Sequence, residues 1–289
     1  MTPRRPLVRR RDLAGLLAAS GTAAIAAIAA GCSMSRVPTS DQVPRDPLAS
    51  LDEARWDGRT LADVLALPLT GEVSEFEAWA GLGPEDAAVD PVRQALTDFL
   101  AAAYLSPDAL HGLDDAAARA RIDGAAPTYW QDVLHQAWDS GERHLYAFTL
   151  AEGFATIGRP ALAMDWFRGQ REGTALLLLG GTLAWSVLET STHAVGVIAY
   201  RVGVVADLAA DGTASTATIR VTIHGLDGCA LRDHGGLVVP ALGKDAEHRQ
   251  AQQATMDTVI AAPRIRREDL LDPESAALNG DDATNVLCP

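Results

Sequence analysis

Between His144 and Gly225 the apolar residues of this 289-residue chain stop recurring every three or four positions and begin to alternate with polar ones. Five runs follow the two-fold pattern: HLYAFTLAEGFAT, ALAMDWFRGQ, TALLLLGGTLAWSVLET, HAVGVIAYRVGVVADL and ASTATIRVTIHG. The last is the cleanest, with Ala217, Ile219, Val221 and Ile223 interleaved with Thr216, Thr218, Arg220 and Thr222. A period of two places each set on its own face of a strand. The turns between runs are short, among them REGT (171–174) and ADGT (210–213). Connections of that length join antiparallel neighbours, because a parallel return needs a long crossover. The chain is therefore committed to an antiparallel meander whose apolar face must be covered.

The cover is expected upstream. DPVRQALTDFLAAAYL (90–105) begins with a capping Asp90 and Pro91 in the first turn, and Val92, Leu96, Phe99, Leu100 and Ala103 share one helical face. Residues 106–113 read as a turn with one helical turn, 113–122 as a second helix and 127–141 as a third. The third has an apolar face of Trp130, Val133, Leu134, Ala137 and Trp138, and Gly141 stops it. Earlier, Arg59 to Ala66 suits a short helix, LPLTGE (67–72) breaks it, and 73–89 is irregular and acidic. After the meander, 245–261 reads as a helix capped by Asp245, with Ala251, Ala254, Thr258 and Val259 on one face, and 263–289 as an extended tail. The expected fold is α+β: N-terminal helices on one face of a curved antiparallel sheet of about five strands, plus a C-terminal helix and tail. One domain spans 59–289, with its sheet core at about 88–228 and the C-terminal helix and tail at 229–289.

The first 31 residues follow different rules. MTPRRPLVRRR carries five arginines and no acid, and Leu13 to Ala30 carries no charge. A basic start, an apolar middle and small residues before a break form the layout of a secretory signal. Arg10-Arg11-Asp12-Leu13 resembles the twin-arginine export signal, and the Ala-rich middle suits that route. Ala29-Ala30-Gly31-Cys32 resembles the bacterial lipobox, with Ala29 where leucine is usual. The resemblance implies cleavage before Cys32, its acylation (palmitate among the chains), and a body held to the membrane through that N-terminal lipid on the extracytoplasmic face of the cell membrane. Several acyl chains on one residue meet the requirement for stable anchoring. An uncleaved span and cleavage without lipidation are the alternatives; 18 mainly Ala residues fall short of a strong span. Residues 32–58, rich in Pro, Ser and Asp without a period, read as a flexible tether. One lysine against 23 arginines is similar to the usage of GC-rich actinobacterial genomes.

The whole chain carries 24 basic and 38 acidic residues, net −14. Without the leader's five arginines and Asp12 it carries 19 and 37, net −18. Such acidity excludes nucleic acid and an anionic membrane surface as partners, since both need clustered Lys and Arg. In an exported chain the two remaining thiols, Cys229 and Cys288, are expected to pair and to tie the last residues to the end of the sheet; one buried and one free thiol is the alternative.

The order of helices followed by a curved antiparallel sheet resembles the NTF2-like, or cystatin-like, superfamily over about residues 88–228. In NTF2-like enzymes a carboxylate or histidine inside the cone acts as base, and a tyrosine donates to the developing oxyanion. The resemblance thus implies Asp165 as a base, with His144 and Tyr146 beside it. Alternatively Asp165 faces water, neutralised by Arg168 or Arg201, while Met164 and Trp166 face the core. HGLDGCALRDHGG (224–236) gathers His224, Asp227, Asp233 and His234, residue types that bind metal. A solvated loop clasped by the disulfide is the simpler account of it. There is no Gly-rich phosphate loop, G-x-S-x-G, H-E-x-x-H or paired C-x-x-C, so no cofactor is implied. The expected function is a binding or scaffold module, with Tyr129 and Trp130 after Pro127 as anchors for a basic or neutral envelope partner. The alternative is an isomerase- or dehydratase-like enzyme using the cone.

Overall fold

The computed structural model describes residues 44–51, 61–83, 86–261, 264–279 and 284–288. Arg10, Arg11 and Cys32 lie outside these residues. The fold is α+β, with a five-stranded mixed sheet and several helices. In chain order the elements are α1 (Leu61–Leu65), β1 (Leu69–Thr70), α2 (Asp90–Tyr104), α3 (Pro107–Leu110), α4 (Asp115–Ala125) and α5 (Gln131–Ser140). Then come β2 (Phe154–Arg171), β3 (Thr174–Glu189), β4 (Val195–Leu208), β5 (Ala214–His224), α6 (Gly228–Asp233), α7 (Ala246–Ala261) and α8 (Arg267–Leu271).

The long strands pair antiparallel in sequence order. Glu172 and Gly173, at φ 51° and 79°, form the two-residue turn between β2 and β3. Two positive φ values match the right-handed twist of the flanking strands. One expected strand is not a strand. His144 to Gly153 forms a 3₁₀ turn over Arg143–Leu145 and then an irregular stretch, in which only Leu150 bridges, to Val238. Phe148 to Ala151 are all buried, so the period of two fails there, and the Phe148 N–H donates to the Ala103 carbonyl at 2.7 Å instead of to a strand. The fifth strand is instead β1, inside the segment expected to break structure. It runs parallel to β2, with Leu69 beside Trp166. Two buried arginines hold it there. Arg168 donates to the carbonyls of Leu69 and Gly71 and pairs with Asp86, and Arg93 donates to those of Leu65 and Leu67.

The helices begin and end for local reasons. Asp114 caps α4, accepting from the Ala117 N–H at 2.8 Å, and Gly141 ends α5 in the left-handed region at φ 80°. Asp245 accepts from the His248 N–H at 3.0 Å and so caps α7. Asp90 does not cap α2. A 3₁₀ turn over Asp86–Ala88 runs directly into the helix, the cap residue Val89 is itself in the α region, and Asp90 pairs with Arg93 at 3.3 Å instead. Val133, expected on the apolar face of α5, is 44% exposed.

Both faces of the sheet are buried. On the first, Met164, Trp166, Leu177, Leu179, Trp185 and Tyr200 join Leu96, Phe99 and Leu100 of α2 in the main core cluster. On the second, Phe167, Leu176 and Leu178 meet Ile265, Leu270 and Leu278, and Ala184, Val197 and Ala199 meet Val259 of α7. Gly180 and Gly203 are register partners on this face. A Cβ on Gly180 would lie 2.8 Å from Ile265 Cγ2, and one on Gly203 2.7 Å from Leu278 Cδ1. The pair of glycines is the seat of the C-terminal segment. Residues 264–279 are thus a structural layer rather than an extended tail. Residues 44–51 also depart from the tether expected over 32–58: Leu48, 6% exposed, sits with Ala184 and Val197.

Candidate functional site

The residues expected to act in the sheet interior are not brought together. Asp165 points to the second face, opposite Met164 and Trp166, and its two oxygens lie 3.2 and 3.1 Å from Arg264 Nη1. Arg168, considered as its neutraliser, is spent on β1 and Asp86. Asp165 lines a groove of about 580 Å³ with Glu75, Arg264 and Arg267. Tyr146 lines a different depression, of about 320 Å³, with Arg220 and Asn279. His144 lies in the 3₁₀ turn after α5, and its Nδ1 is buried without a hydrogen-bond partner. Burial holds its ring below the ordinary imidazole range, and burial with the Glu142 charge raises the Tyr146 phenol.

The first face is filled by aromatic rings, several of whose polar atoms are committed to backbone, while the buried Tyr200 hydroxyl has no hydrogen-bond partner. Trp166 Nε1 donates to the Val64 carbonyl at 3.0 Å, Trp185 Nε1 to that of Tyr104 at 2.9 Å, and Trp79 Nε1 to that of Gly169 at 2.7 Å. The Tyr104 hydroxyl donates to the Leu145 carbonyl at 2.6 Å. Tyr200 packs between Tyr104 and Phe148, with ring centroids at 5.1 and 5.5 Å. Burial lifts both Tyr104 and Tyr200 far above the usual phenol range. Trp130, expected as an exposed anchor, belongs to the same interior. It is 3% exposed, lies edge-on to Phe99 and donates to the Ala217 carbonyl at 2.8 Å. Proline and a helix start on the surface do not prevent the ring from turning inward. Tyr129 is half-buried against it.

His224, Asp227, Asp233 and His234 do not converge. Among the described residues no group of three or more His, Cys, Asp or Glu is arranged to hold a metal. His224 Nδ1 meets Thr284 Oγ1 at 2.9 Å, while Asp233 and His234 lie exposed at the end of α6. Asp227 caps that helix, accepting from the N–H groups of Cys229 at 3.1 Å and Ala230 at 3.0 Å. Its other oxygen accepts from Lys244 Nζ at 2.8 Å and meets His248 Nε2 at 2.9 Å. Burial would raise the Asp227 carboxyl, but the Ala230 N–H, Lys244 and His248 prevail and hold it at about 2. Lys244 and His248 were not singled out by sequence. The one signal for His248 was its place three residues after the capping Asp245. Cys229 and Cys288 lie together, with Cα atoms 4.8 Å apart, and Gly228 donates to the Val286 carbonyl at 2.8 Å beside them.

A pocket that the sequence did not indicate lies where the turn after α3 meets the segment after α5. It encloses about 620 Å³. Leu110, Ala118, Leu150 and Leu237 form an apolar floor, and Thr149 lines it beside them. The Thr149 Oγ1 is buried without a hydrogen-bond partner. Asp114, Asp115 and Glu152 stand exposed around the mouth. The position depends on Gly112, at φ 76°, which turns the chain from α3 into the cap of α4. Nothing periodic marks such a site, since its walls come from three separate turns.

The molecule is thus an α+β protein with a mixed sheet covered on both faces, an aromatic interior and an acid-rimmed surface pocket. No protein-family model, curated protein sequence or solved structure matches the chain.

Proposed function

We propose that this chain is an exported, lipid-anchored cell-envelope protein whose folded body binds a ligand or partner without turning it over. The observation that carries the binding reading is the aromatic first face. The indoles of Trp79, Trp130, Trp166 and Trp185 each donate to a backbone carbonyl, so the face where an NTF2-like cone would hold its base is built as core. Asp165 stands on the other face in an ion pair with Arg264. The order of helices before an antiparallel meander supports the NTF2-like resemblance, with N-terminal helices packed on the sheet. The parallel β1 and the C-terminal layer are additions to that plan. The leader layout and the lipobox-like Ala29-Ala30-Gly31-Cys32 support the anchor. No helix among the described residues is long and apolar enough to cross a membrane. The net charge of −14 suits a basic or neutral partner, approached faster at low salt.

Two variants of the full chain test this reading. Cys32→Ala is expected to move the protein from the membrane fraction to the medium or to block its processing. Membrane retention with an unmodified N-terminus would refute the anchor. Asp165→Asn is expected to leave ligand or partner capture unchanged. A turnover activity that this substitution abolishes would replace the binding reading with an enzyme.

A further inference from the structure

We infer that the pocket between the turn after α3 and the segment after α5 binds a small organic cation, an apolar body with an ammonium at the mouth. The inference rests on the binding reading and specifies its ligand. Leu110, Ala118 and Leu150 are buried residues whose surfaces form the floor, so the inner part of a ligand must be apolar. The volume, about 620 Å³, lies in the range of small-molecule sites.

The mouth sets the sign of charge. Asp114, Asp115 and Glu152 face one guanidinium, Arg143, so the carboxylates outnumber it by two. Arg143 is already committed, pairing with Asp115 and lying over the Trp138 ring at 5.9 Å from its centroid. An anion would therefore meet Asp114 and Glu152 with no uncommitted cation to balance them. A cation would meet the two carboxylates directly, its apolar stem against Leu113 and Leu150.

The test is binding of 6-aminohexan-1-ol, 6-hydroxyhexanoate and hexan-1-ol to the full chain, followed by NMR shifts of Ala118, Leu150 and Leu237. These probes share a stem and a hydroxyl and differ in charge. 6-Aminohexan-1-ol is expected to bind about tenfold more tightly than 6-hydroxyhexanoate, with the preference shrinking as salt rises from about 0.05 to about 0.5 M. Asp114→Asn with Glu152→Gln should remove most of that preference, since Asn still caps α4. Equal binding of the three probes, or tighter binding of the carboxylate, overturns the cation and leaves the binding reading standing. Absence of shifts with every probe overturns the site. The binding reading itself falls only to a turnover activity.

Discussion

Asp227 shows how one carboxylate can be placed to fix three parts of the chain. It caps α6, receives Lys244 from the loop before α7 and meets His248 on α7 itself. Its carboxyl is held at about 2, below the ordinary 3.8, so the folded state favours the ionised form. A depressed folded value contributes stability that is present above the unfolded value and lost as pH falls through the folded one. Asp227→Asn is therefore expected to cost about 2 kcal/mol near neutrality. In urea titrations of both chains, the difference should shrink between about pH 4 and about pH 2. A difference independent of pH would mean that the ionised carboxylate contributes nothing. Sequence singled out Asp227 for a different reason, as a metal ligand. Residue type and local density could suggest a polar cluster, but not that Lys244 and His248, rather than Asp233 and His234, would face it.

The central strands differ from β5 in the pattern of their residues. TALLLLGGTLAWSVLET and HAVGVIAYRVGVVADL are nearly continuous apolar runs rather than strict alternations. Continuity of that kind marks burial on both faces, whereas the first half of β5 keeps exposed Thr216 and Thr218 on either side of buried Ala217, the alternation of a strand covered there on one side. The glycines inside β3 and β4 follow from the same fact. Gly203→Ala places a Cβ 2.7 Å from Leu278 Cδ1 and 2.9 Å from Leu270 Cδ2, both ends of flexible side chains. The expected cost is about 1–3 kcal/mol. Adding Leu278→Ala should recover part of it, giving a non-additive double-mutant cycle in chemical denaturation. Gly181→Ala should be worse, because its Cβ would lie 2.4 Å from the Ala163 carbonyl oxygen, where only backbone movement gives room. Equal costs for the two substitutions would contradict the distinction between a clash with flexible side-chain ends and a clash with backbone.

Because β3 and β4 carry residues of the main core cluster on one face and meet the C-terminal segments on the other, neither side can open without exposing apolar strand surface. Unfolding is expected to be one transition, with coincident midpoints for tryptophan fluorescence, to which Trp79, Trp130, Trp138, Trp166 and Trp185 of the main core cluster contribute, and hydrogen exchange of Ala184 and Val197, which contact the second face. Separate midpoints would show layers that unfold independently. The α+β class, the meander, α2, α4, α5 and α7 were legible in the sequence because period and capping are local properties of the chain. The same locality made Pro127-Thr128-Tyr129-Trp130 look like an exposed anchor and His144–Gly153 look like a strand. Whether Trp130 turns inward depends on Phe99 and on the Ala217 carbonyl, residues 31 and 87 positions away. Whether Leu69 and Thr70 become a strand depends on a buried arginine in β2 that donates to the carbonyls around them. Periodicity reports which side of an element is apolar, since that follows from backbone geometry alone. What covers that side, and which polar atoms meet there, depends on contacts between distant segments, and those exist only once the chain has folded.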